Sequence, residues 1–129
     1  MNMVKGIEHT AIASADPARL AQWYVDHLDF TINYRSSNSR THFVKAADGS
    51  MIEIIEADGA SAGTSSMRDA GLRHLAILVS DFDAVHQWLK DKGVAFLTEK
   101  QVSGGNSTVF FTDCDGNILH LLHREKPLG

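Results

Sequence analysis

One cysteine, Cys114, leaves this chain unable to close an internal disulfide. A reducing, cytoplasmic setting is therefore the expected one. Basic charge is also scarce. The formal net charge is −4 and no run of lysine or arginine breaks the pattern, which argues against nucleic acid as a partner. No apolar stretch approaches the roughly 20 residues of a membrane-spanning helix. The opening MNMVKGIEH lacks the apolar core of a secretory signal, so neither membrane nor secretion is expected. What is present is a hydrophobic fraction of 43% and a charged fraction of 22% in 129 residues. That suits one globular domain or two closely packed half-domains.

The chain says one thing twice. GLRHLAILVSD, Gly71–Asp81, matches GIEHTAIASAD, Gly6–Asp16, at a separation of 65 residues. His9 then corresponds to His74, Ala11-Ile12 to Ala76-Ile77 and Asp16 to Asp81. Both stretches read as strands, and each aspartate can cap a following helix, with Pro17 at the first helical position of the earlier one. The helices repeat too, Gln22-Trp23 against Gln87-Trp88. Two Asp-Gly turns follow, Asp48-Gly49 and Asp115-Gly116, now 67 residues apart, each leading into a last strand: Met51–Glu56 and Ile118–His123. Between turn and helix, Phe30–Tyr34, Thr41–Lys45, Val94–Leu97 and Thr108–Thr112 read as further strands, and Gln101–Asn106 as a Gly-rich loop. Residues 5–57 and 71–125 are thus two copies of one module, strand-helix-strand-strand-strand. Residues 58–70, small and polar, read as a linker or as a lid over a site.

Strand alternation isolates four titratable side chains on apolar faces. His9 stands with Ile7, Ala11 and Ala13; His74 with Leu72, Ala76 and Leu78; Glu53 with Met51 and Ile55; His120 with Ile118 and Leu122. His9 and His74 are repeat-equivalent, as are Glu53 and His120. Imidazole or carboxylate on an apolar face needs a partner. A common one for three His and one Glu is a divalent cation: Zn, Ni, Co, Fe or Mn. Glu56 and His123 fall on the opposite faces. His27, His42 and His86 have no repeat equivalent and are expected at the surface, while Trp23 and Trp88 are expected in the core. Phe43, Phe111 and Asn106 are candidates to line a cleft.

The residues Ile7-Glu8-His9-Thr10-Ala11-Ile12, Leu72-Arg73-His74-Leu75-Ala76 and the turn Phe111-Thr112-Asp113-Cys114-Asp115-Gly116-Asn117 resemble the vicinal oxygen chelate superfamily. That superfamily includes glyoxalase I, extradiol dioxygenases and the bleomycin resistance proteins. The resemblance covers nearly the whole chain. It implies an α+β fold in which two βαββ modules form an open U-shaped β-barrel, one glyoxalase-like domain over residues 1–129. It also implies metal ligands at His9, Glu53, His74 and His120. Glyoxalase I-like and epimerase-like members carry glutamate where this chain has His120, so Glu53 is the one carboxylate of the set. The implied function is lyase, isomerase or epimerase chemistry on a small oxygenated substrate through a metal-stabilised enolate. Glu53 would be the base, with His120 as ligand or second acid/base. The alternatives are an Fe(II) extradiol-type dioxygenase, in which two histidines and Glu53 form a facial triad, and a metal-free antibiotic- or ligand-binding resistance protein. A homodimer is the expected assembly.

Overall fold

The computed structural model describes residues 3–59 and 66–129. The middle of the expected linker, 60–65, lies outside the described residues. The chain divides into two compact units, Met1–Ala60 and Ser61–Gly129. The first contains β1 (His9–Ser14), α1 (Pro17–Leu28), β2 (Thr31–Arg35), β3 (His42–Lys45) and β4 (Met51–Glu56), with sheet order β1-β4-β3-β2. The second contains β5 (Leu75–Leu78), α2 (Phe82–Asp91), β6 (Gln101–Ser103), β7 (Asn106–Thr112) and β8 (Ile118–Arg124), with order β5-β8-β7-β6. In both, the first strand runs parallel to the last and the remaining pairs are antiparallel. Each unit is a βαββ-like module, one strand, one helix and three further strands in a mixed four-stranded sheet, as the repeat predicts.

The same local chemistry builds both copies. The Asp16 carboxylate accepts from the backbone N–H of Arg19 and starts α1, with Pro17 just inside; the Asp81 carboxylate accepts from Ala84 and starts α2. On the helix surfaces Gln22 donates to Asp26 at 2.8 Å and Gln87 to Asp91 at 2.9 Å, one i,i+4 pair used twice. α1 lies over all four strands of its sheet. Leu20, Tyr24, Val44 and Ile54 are fully buried there. In the second unit Leu89, Val109, Phe111, Leu119 and Leu121 are fully buried. Burying a side chain of this size contributes roughly 1.5–3 kcal/mol each.

The two Asp-Gly turns set the register of the last hairpins. Gly49 and Gly116 take φ of +92° and +86°, a region side-chain-bearing residues avoid. Gly49 donates to the Ala46 carbonyl and Gly116 to that of Asp113. The buried Asp113 carboxylate also accepts from the backbone of Asp115 and Asn117. The hairpins so fixed place Phe43 opposite Glu53 and Phe110 opposite His120.

Several expectations change. Val94–Leu97 forms only a bridge, Phe96 to Phe111, while the expected loop Gln101–Asn106 contains β6. Gly104 and Gly105, both with positive φ, close a tight turn that lets Gln101–Ser103 take the edge of β7. His86 is buried rather than superficial, 8% exposed, with the rings of Phe82 and Phe96 at 5.6 and 5.0 Å. Trp88 is half exposed under Lys92, and Trp23 is half-buried against the ring of His27. Among the described residues no helix is long and apolar enough to cross a membrane.

Candidate functional site

Each unit carries one pair of the four candidate ligands, on the sheet face opposite its helix. On β4, Ile52 and Ile54 are buried under α1, so alternation turns Glu53 to the open side. Ala11 of β1 is the strand neighbour of Glu53, and His9 stands two residues earlier on the same face. His9 Nε2 lies 3.6 Å from Glu53 Oε1. The second unit repeats the diagonal. Ala76 of β5 neighbours His120 of β8, and His74 stands two residues before Ala76. His74 Nε2 lies 3.4 Å from His120 Nδ1.

Those two gaps carry information. Both exceed the usual 2.7–3.2 Å of a hydrogen bond involving nitrogen. Two donors about 2.1 Å from a common metal ion are about 3.0 Å apart in octahedral geometry and about 3.4 Å in tetrahedral geometry. Each pair is therefore spaced close to the edge of a coordination polyhedron. The electrostatics agree. Burial, then the neighbouring His74 and Arg124, hold the His120 imidazole below its ordinary pKa, which favours the neutral ring a metal requires. His120 Nε2 is buried and has no hydrogen-bond partner among the described residues. The donor set fits a divalent cation. Within the described residues the gathered groups are pairs, and no cluster of three or more His, Cys, Asp or Glu is present.

The pairs are more open than their apolar strands suggest. Ile7 and Leu72, two residues before His9 and His74, are each 90% exposed, and Leu78 of β5 is 72% exposed. Glu56 pairs with Arg40, and the His123 ring meets the carbonyl of Val79, so both stand apart from the ligand pairs as alternation predicts.

Three neighbours complete the geometry. The Glu8 carboxylate lies 2.9 Å from His9 Nδ1, leaving Nε2 directed toward Glu53. Metal-binding histidines are commonly oriented by such a carboxylate. Alternation gives no hint of Glu8, because it precedes β1 and its side chain reaches back along the chain. Phe43 meets the His9 ring edge-on at 5.4 Å. Phe110 meets His74 at 5.2 Å and His120 at 4.5 Å. Of the expected lining residues, Phe43 is therefore beside a pair, whereas Phe111 is fully buried in the core. Phe110 takes the position assigned to Phe111, since it is the residue 67 after Phe43 and stands opposite His120 as Phe43 stands opposite Glu53. Asn106 opens β7, opposite Ser103 and Arg124.

Comparison with known proteins places these features in a family context. The model of the Glyoxalase/Bleomycin resistance protein/Dioxygenase superfamily matches residues 6–121. The uncharacterized protein YwkD of Bacillus subtilis is 29% identical over 115 residues, covering 84% of this chain and 90% of that protein. The glyoxalase family protein from Enterococcus faecalis is 28% identical with a TM-score of 0.76, over 92% of this chain and 97% of that one. A glyoxylase/bleomycin resistance protein/dioxygenase domain from Frankia sp. EAN1pec is 25% identical with a TM-score of 0.77, over 97% and 96% of the two chains.

Proposed function

Because the chain belongs to the Glyoxalase/Bleomycin resistance protein/Dioxygenase superfamily, we propose that it is a divalent-metal-dependent enzyme acting on a small oxygenated substrate by proton transfer next to a carbonyl. The observation that carries this reading is the spacing of the two ligand pairs, 3.6 Å in one unit and 3.4 Å in the other, on the same diagonal of a parallel strand pair. His9 with Glu53 in the first unit, and His74 with His120 in the second, are the side chains that would hold the metal. A bound divalent cation supplies stabilisation of negative charge developing on a substrate oxygen.

The remaining chemistry belongs to side chains of this chain. Glu53 is the one carboxylate of the four, so it is the group that accepts a proton from the carbon α to a carbonyl. Glu8 holds the His9 ring in orientation. The neutral imidazole of His120 is free to coordinate or to return a proton. Phe43 and Phe110 flank the pairs with apolar rings. Lyase, isomerase and epimerase reactions all share this proton-transfer step. We propose further that the working form is a homodimer.

The test is Glu53→Gln, assayed by solvent-deuterium incorporation at the α-carbon of a panel of small hydroxy-carbonyl compounds, with metal content measured in parallel. Exchange should be abolished in the variant while much of the metal stays bound. Unchanged exchange in Glu53→Gln contradicts the role of the carboxylate.

A further inference from the structure

The two copies of the module differ at the strand bordering each ligand pair. In the second unit β6 and β7 pair in unbroken register, Gln101–Thr108, Val102–Ser107 and Ser103–Asn106. In the first unit the register slips: Thr31 faces Lys45 and Ile32 faces Val44, but Tyr34 then faces Phe43 and Arg35 faces His42. Asn33 is the extra residue, a β-bulge. With strict pairing Asn33 would oppose Phe43, and Tyr34 would oppose His42, the neighbour of helix-covered Ile54. The bulge instead puts both Asn33 and Tyr34 on the face of the ligand pair. Asn33 Nδ2 lies 3.4 Å from the sulfur of Met51, the strand partner of His9. The Tyr34 ring stands edge-on to Phe43 at 5.9 Å, and Phe43 edge-on to His9 at 5.4 Å.

A run of three rings thus ends at the His9–Glu53 pair, and its outer member is available. Tyr34 is 53% exposed. Bulges beside functional sites commonly re-aim a side chain, and this one has no counterpart in the described register of the second unit. A planar ring in reach of Tyr34 would gain both apolar burial and offset or edge contact. We propose that Tyr34 is a specificity-determining residue of this site, and that it receives the planar aryl portion of a substrate whose oxygens meet the His9–Glu53 pair. The proposal rests on the metal-dependent reading for the oxygens alone; the ring contact is made by Tyr34 and Phe43.

Mandelate and lactate separate the two contributions, because they share vicinal hydroxyl and carboxylate oxygens and differ in phenyl against methyl. Each is titrated into the full chain with and without added zinc. Affinity is read by calorimetry, and the Tyr34 and Phe43 ring resonances by NMR. Mandelate should bind roughly tenfold more tightly than lactate. Tyr34→Ala should reduce that preference to within roughly threefold, and Tyr34→Phe should keep it, since the ring and not the hydroxyl makes the contact. Equal affinities in the unaltered protein, or a preference retained in Tyr34→Ala, overturn the proposal. Failure to bind zinc or any of Ni, Co, Mn and Fe(II) overturns the metal-dependent reading instead. In that event, shifts of the Tyr34 and Phe43 rings with mandelate but not lactate still support the role of Tyr34, and their absence refutes it.

Discussion

His86 sits in α2 with its ring between those of Phe82 and Phe96, and its surroundings oppose a positive charge. Burial chiefly, then Lys90, lower its pKa; Asp83 acts the other way, and Lys100 adds the smallest lowering. The folded state consequently binds fewer protons than the unfolded state below the ordinary histidine pKa of about 6.5. Stability from this residue is fully present above that pH and declines as pH falls toward the lowered folded value. Urea unfolding of the metal-free protein should therefore show a smaller loss between neutral and mildly acidic pH in His86→Leu than in the unaltered chain. Some slope should persist, because His120 is shifted in the same direction. An identical slope in the variant contradicts the assignment. At this scale the sequence was informative where a residue had a repeat equivalent. His9 and His74 are marked by their spacing of 65, whereas His86 has no equivalent, and its burial depends on Phe96, whose bridge to Phe111 is a tertiary contact. Glu8 was illegible for a related reason: its contact with His9 arises at a strand end, where alternation no longer governs direction.

Among the elements, the paired modules were legible because strand, helix, Asp-Gly turn and final strand recur in order. The 3.6-residue period of α1 and the caps at Asp16 and Asp81 need no tertiary information. Register was less accessible. A one-residue slip exchanges the two faces of a strand, which is why Phe111 and Phe110 could be confused in an unbroken apolar run. Their substitution separates core from site. Phe111→Ala removes a fully buried ring and should cost about 3–5 kcal/mol. Phe110→Ala, at a half-buried ring beside His74 and His120, should cost less stability and disturb metal affinity more. Denaturant midpoints and metal titrations on both variants check the assignment, and reversed effects contradict it. The bulge at Asn33 was equally hidden, since TINYR reads as a regular strand until β3 fixes its pairing.

For the whole molecule, Ile7, Leu72 and Leu78 are large apolar residues at 90%, 90% and 72% exposure, next to or on the strands that carry the histidines. These residues are candidate contacts for the homodimer proposed above. Sedimentation should return the dimer mass, and Leu78→Glu should shift it toward the monomer; a monomer mass for the unaltered protein contradicts the dimer. The central claim concerns the two ligand pairs as metal donors, and a metal titration addresses it most directly. Calorimetric titration of the metal-free full chain with Zn, Ni, Co, Mn and Fe(II) should show tight binding of at least one ion. Alanine at any one of His9, Glu53, His74 or His120 should weaken it by roughly tenfold or more. No binding by any of these ions, or undiminished affinity after replacement of His9 or His74, would contradict the account.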